Sequence, residues 1–246
     1  MHGRWMLLIK VFCVVFFCIN PLYAQTSKEA QPNGSPIDRV EALFKTAIKQ
    51  HSRLYNGPSF QNYGANVIGS PNFQDQTAFV NGYVKYDGVG FDDIPLMYNI
   101  YEDKVITLYG KYAMFSLISE KVSDFYINNH HFKYIDVTDT TRSIIKPGFF
   151  DYIFDGNIKI FVKRYKKQQI GLKDKEVTYY FMPKTNYYIE KEGKYYAIES
   201  ENSFLNLFPD KKNELKKYLK EHKIKFKQKP EEAMVVLATY YESLHN

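Results

Sequence analysis

The stretch from Asp87 to Asp103, DGVGFDDIPLMYNIYED, sets five carboxylates and two glycines around one short apolar run. Carboxylates at that density raise the question of a hard cation, which takes six to eight oxygens, supplied in loop sites from positions such as one, three, five and twelve. Here Val89 and Phe91 stand where the third and fifth ligands would be. A strand of about nine residues between the two acidic clusters would hold them roughly 25 to 30 Å apart, at about 3.3 Å per residue. The acids then belong to separate turns, at Asp87-Gly88 and Glu102-Asp103, and no metal is expected between them.

His130 and His131 are the second candidate. Adjacent residues of a strand face opposite ways, so the two imidazoles are expected to part after a turn at Asn128-Asn129 and not to share an ion. A Gly-x-Ser-x-Gly elbow, a P-loop and a Gly-x-Gly-x-x-Gly run are all missing from the sequence, which removes the motifs that mark serine nucleophiles and phosphate cradles. No cofactor is implied. Two carboxylates brought together by the fold would still suffice for glycoside hydrolysis. A hydrolase with spatially assembled carboxylates is therefore the alternative reading.

The N-terminus, MHGRWMLLIKVFCVVFFCINPLYAQ, joins basic residues, an apolar run from Val11 to Ile19 and a small residue, Ala24, before Gln25. These are the parts of a secretory signal peptide over 1–24. The run is shorter than the ~20 residues that cross a bilayer, so no transmembrane span is expected after cleavage. Cys13, Cys18 and Trp5 all lie in this segment, and the mature chain is expected to be free of disulfides, thiolate metal sites and cysteine nucleophiles. Of the 33 Lys and Arg, most fall in 157–246, alternating with tyrosines and glutamates. Interleaved in that way they predict a solvated surface and no nucleic-acid partner.

Residues 25–34 are polar and predict a flexible leader to one α+β domain over 35–246. Ser35-Pro36-Ile37-Asp38 supplies an N-cap, a proline at the first helical position and an early carboxylate, and Ile37, Val40, Leu43, Phe44, Ala47 and Ile48 form one apolar stripe, so a helix starts there. From 77 to 199 the chain is dense in Tyr, Phe, Val and Ile broken by turn signals, which predicts short antiparallel strands over 77–86, 93–101, 104–110, 112–119, 121–128, 130–137, 157–165, 177–183, 185–191 and 194–199. Glycines after Asp87, Asp155 and Glu192 are expected to take the positive φ of tight hairpins. The segment 138–156 reads as a long crossing loop. Helical patterns return over 203–245, with Pro230-Glu231-Glu232 opening the last of them. The fold expected is a large curved antiparallel sheet or partial barrel, one N-terminal helix and a C-terminal helical cluster.

The order of motifs LYNGP, YDGVGFDDIPLMYNIYEDKV, ISEKVSDFYINNHHF, GFFDYIFDGNIKIFVKR and ATYYESL resembles a group of exported proteins of Gram-negative bacteria without an assigned activity. The resemblance implies export to the periplasm or beyond and a single domain, and it carries no catalytic residue to transfer. The 22 Tyr and 19 Phe remain as the feature to explain. Tyrosine packs its ring while its hydroxyl stays wet, and it lines grooves for apolar ligands and protein partners. Met97, Tyr98, Tyr101, Tyr187 and Tyr195 are the candidate surface, and the function expected is a binding or assembly module that receives an apolar ligand or an envelope protein.

Overall fold

The chain folds back on itself at pairs of residues with positive φ. Asp87-Gly88 (51° and 77°), Asn128-Asn129 (48° and 63°), Asp174-Lys175 (53° and 67°) and Glu192-Gly193 (54° and 71°) each join two antiparallel strands. Two successive left-handed residues match the right-handed twist of the flanking strands. In the computed structural model residues 52–64, 66–137 and 144–244 are described. The signal segment, the leader and the helix expected from Ser35 lie outside them.

The strands are β1 (Val67–Ile68), β2 (Val80–Tyr86), β3 (Val89–Asn99), β4 (Lys104–Tyr109), β5 (Ala113–Ser116), β6 (Val122–Ile127), β7 (His130–Ile135), β8 (Gly148–Asp155), β9 (Lys159–Lys173), β10 (Glu176–Lys191) and β11 (Lys194–Ile198). They form one 11-stranded sheet in the order β1-β10-β9-β8-β7-β6-β2-β3-β4-β5, with β11 also paired to β10. Only β1 runs parallel to its neighbour among these pairs. Three helices follow the sheet: α1 (Glu201–Leu205), α2 (Lys212–Glu221) and α3 (Pro230–Ser243). Ser200 and Ser203 cap α1 reciprocally, and Pro230 opens α3 with Glu231 and Glu232 in its first turn, where the helix dipole favours negative charge. The architecture is α+β.

Three expectations are corrected. Residues 148–155 are a strand, β8, not part of a crossing loop. Its apolar run does not alternate because Phe149 and Phe150, on opposite faces, are both buried. The strands predicted over 177–183 and 185–191 are one, β10, with Pro183 inside it. Proline lacks a donor N–H and belongs at sheet edges, and Pro183 falls where the outer edge of β10 has no partner among the described residues, between the residues bonded to β1 and those bonded to β11. Gly156 is not among the glycines with positive φ. A side chain there would collide with the Glu242 carboxylate, which also accepts from Ile158 N at 3.2 Å, so the glycine serves the close approach of α3.

Register decides what each face carries. Phe132, Asp151, Val162 and Tyr187 lie opposite one another across β7, β8, β9 and β10, so they share a face. On that face Tyr98, Phe125, Phe132 and Phe149 pack with Phe73 in one core cluster, and Ile160 and Ile189 pack with Phe204, Leu215 and Leu237 of the helices in another. The opposite face carries a row of rings, Tyr83, Tyr126, His131, Tyr152, Phe161 and Tyr188. Their centroids follow one another at 5.8, 3.9, 6.5, 5.4 and 6.0 Å. Beside it runs a row of charges, with Asp124 opposite Lys133, Lys133 on Asp155 at 2.8 Å and Lys159 on Glu190 at 3.5 Å.

Candidate functional site

Charged groups that meet inside the fold do so at the seam between the two clusters. Asp151 follows Phe149 onto the core face of β8 and is 1% exposed. Arg164 Nε donates to its Oδ2 at 2.8 Å, and the same guanidinium donates through Nη1 and Nη2 to Glu231 on α3, at 3.0 and 2.8 Å. His130 Nδ1 lies 2.7 Å from Asp151 Oδ2. The Gln74 amide nitrogen lies 3.2 Å from His130 Nε2, while Gln74 Oε1 accepts from Asn128 at 2.9 Å. A proton on Nδ1 of the imidazole satisfies every one of these contacts. Gln74 and Asp75 have positive φ (51° and 53°), and that backbone sets Gln74 on His130 and Asp75 on Lys166, at 2.7 Å.

A second network lies at the turn after β3. Asp103 Oδ1 accepts from the fully buried Tyr98 hydroxyl and Oδ2 from Lys163 Nζ, both at 2.5 Å, and Phe149 N donates to Oδ2 at 3.3 Å. Gly148 is glycine because a Cβ would strike Asp103 and Lys163. Burial pushes the Lys163 ammonium below its ordinary value, and the Asp103 carboxylate opposes that shift. In both networks the acids already hold cations, and among the described residues no group of three or more metal-binding side chains occurs. The carboxylates that come together, Asp151 and Glu231, do so on either side of Arg164, which holds both.

Among the described residues ten tyrosines, including Tyr98, Tyr86, Tyr134 and Tyr195, are pushed above the phenol value of 10.0, by burial first. Above about pH 10 the unfolded chain loses phenolic protons that the folded chain keeps, so stability falls as pH rises through that window. Alkaline titration is expected to show tyrosinate absorbance rising together with loss of the circular-dichroism signal of the sheet. Smooth ionisation of these phenols with the fold intact would contradict it.

The open surface lies on the hairpin of β9 and β10. β8 leaves β9 after Val162, and from Lys163 to Lys173 β9 pairs only with β10 among the described residues, a length of about 35 Å. On one face of this arm Leu172 sits opposite Val177, Ile170 opposite Tyr179 and Gln168 opposite Phe181. Phe181 is covered by Tyr63 and Tyr101, at 5.3 and 5.0 Å between ring centroids. Beyond it the face is bare, with Ile170 64% and Leu172 76% exposed. Tyr63, Gly64, Asn66 and Val67 border a groove of about 650 Å³ completed by Gln168, Val177 and Tyr179.

The residues singled out in the sequence scatter. Met97 and Tyr98 are buried; Asn72 Nδ2 donates to Met97 Sδ at 3.0 Å and Tyr98 lies among Phe73, Phe125, Phe132 and Phe149. They form core and offer no surface to a ligand. Tyr101 stands at the groove, its hydroxyl 3.3 Å from Gln168 Oε1. Tyr187 lines a separate recess of about 410 Å³ with Ile198, Phe226 and Pro230. It lies eight residues along β10 from Tyr179, about 26 Å away. Tyr195 packs against Phe161 on the opposite face. The ring row itself has few free ring faces: Tyr126 and His131 stack within 11° of parallel, and Phe161 within 20° of both Tyr152 and Tyr188. Asp151, Arg164 and the groove residues escaped the sequence reading, and Asp103 entered it as a turn residue, without its partners Tyr98 and Lys163. The signal for the groove was LKDKEV, two apolar strand ends around a turn without glycine. Compared with protein-family models, with curated proteins and with solved structures, the chain matches none.

Proposed function

We propose that this chain is an exported, non-catalytic binding module of the cell envelope, which takes an apolar ligand or protein partner on the arm formed by β9 and β10. The observation that supports this is the groove along the arm, with Val67, Val177 and Tyr179 as apolar walls and Asn66 and Gln168 as its polar groups. Recognition sites combine apolar walls with a few placed polar groups in this way, and a contiguous exposed apolar surface such as Ile170, Leu172 and Val177 is uncommon on a protein that acts alone. Tyr101 belongs to this site as a wall behind Phe181. Asp103, Asp151 and Glu231 give less support to a hydrolase, since each is engaged by a neighbouring cation.

The test uses anilinonaphthalene sulfonate, which fluoresces on entering apolar sites. The native protein is expected to bind it, and Val177→Asp to weaken binding about tenfold, the loss of one buried apolar side chain, with the thermal midpoint unchanged. Equal binding by the variant, or turnover of a glycan or ester by the purified protein, would overturn the reading.

A further inference from the structure

The arm has a free edge as well as a bare face. No backbone hydrogen bond joins residues 163–173 of β9 to anything but β8 and β10 among the described residues. An unpaired strand edge is a template for a further strand. The side chains along it alternate in kind. Gln168, Ile170 and Leu172 point to the groove face, and Lys167, Gln169, Gly171 and Lys173 to the other. Lys163, Arg164 and Lys166 are held by Asp103, Asp151 and Asp75, whereas Lys167 and Lys173 are exposed and form no ion pair among the described residues.

We infer that β9 receives an extended acidic segment of a partner protein as an added antiparallel strand, with apolar side chains opposite Ile170 and Leu172 and carboxylates opposite Lys167 and Lys173. The inference rests on the binding-module reading and names the partner's chemistry. Main-chain hydrogen bonds supply affinity in this mode and alternate side chains supply specificity. A second copy of the chain fits worse, because a second β9 laid antiparallel over residues 163–173 sets each Lys163 opposite a Lys173 and each Arg164 opposite a Leu172. Like charges directly opposite each other destabilise a strand pair.

The probe is a fluorescein-labelled peptide of about ten residues alternating valine and glutamate, long enough for the free edge, titrated against the purified protein by fluorescence anisotropy. Binding is expected, with a loss of at least about tenfold when every second backbone nitrogen is methylated, since several ladder hydrogen bonds go. Lys167→Glu with Lys173→Glu is expected to weaken the glutamate peptide about tenfold and to favour a valine–lysine peptide instead. Binding indifferent to methylation or to the charge exchange overturns strand addition. No peptide binding, with anilinonaphthalene sulfonate still bound and displaced by Val177→Asp, overturns the inference and leaves the binding-module reading in place; loss of both ends both. A dimer in sedimentation, or binding to phosphatidylglycerol vesicles that the peptide does not compete with and Leu172→Asp abolishes, would assign the edge to another occupant and overturn it as well.

Discussion

Arg164→Ala is expected to cost about 3–5 kcal/mol of folding stability, the range for leaving one partner of a buried ion pair behind. Asp151 is 1% exposed and takes both Arg164 and His130 on a single oxygen, so removing the guanidinium leaves a buried charge with the His130 contact alone. Glu231 also loses its bidentate partner, but its side chain is 34% exposed and water can reach it. The check is a double-mutant cycle by urea denaturation. Asp151→Leu combined with Arg164→Met is expected to cost about 2 kcal/mol less than the two single changes added together, because the pair goes as a unit. A loss of less than about 1 kcal/mol for Arg164→Ala would place Asp151 in contact with water, at the level of an exposed pair, and refute the arrangement.

Asp103→Ala is expected to cost about 2–3 kcal/mol, since it strips a charged hydrogen bond from the buried Tyr98 hydroxyl and the counterion from Lys163. This loss has a pH signature that a packing defect lacks. Without Asp103 the carboxylate that opposes the burial pushing the Lys163 ammonium down is gone. Between the folded value and the unfolded value of 10.5 the unfolded chain then holds a proton that the folded chain does not. Stability rises with pH through that window, and the cost of the charge is full below it. Measured against the parent at the same pH, so that tyrosine ionisation acts on both proteins, the deficit of Asp103→Ala is expected to shrink toward alkaline pH. A deficit independent of pH would mean that Lys163 keeps its charge by turning to solvent.

Glycine made some turns of this fold legible, and its lack hid the one at the end of the arm. The turns at Asp87-Gly88 and Glu192-Gly193 announce themselves because glycine takes positive φ without strain. Asp174-Lys175 adopts the same geometry with no glycine, so the arm read as shorter strands ending near 165 and beginning near 177, and its free edge vanished from view. β3 was legible in another way. Apolar on both sides, Ile94 to Ile100 predicted a strand with neither face plainly wet, and Leu96, Met97 and Tyr98 are buried. Burial on both faces is also what made them core and not a binding surface. Asp151 and Arg164 carried a signal that composition drowns: each is a charge within an apolar or alternating strand, and a charge at a core position must have a partner. Which partner depends on strand order, and β8 beside β9 follows from pairing over a distance that no local pattern encodes.

The paired rows of rings and charges on the face away from the helices act as alignment marks. A strand displaced by one residue turns its ring to the wrong side of the sheet, as for any half-buried strand. A displacement of two residues keeps the correct side, so the alternation of apolar and polar residues alone would not detect it. In this sheet it sets Asp124 in the place of Tyr126, Lys133 in that of His131, Lys159 in that of Phe161 and Glu190 in that of Tyr188. Each such error forfeits ring contacts worth about 0.5–1.5 kcal/mol per pair and lodges a charge between aromatic neighbours, so the native alignment is distinguished from its nearest same-face competitor strand by strand.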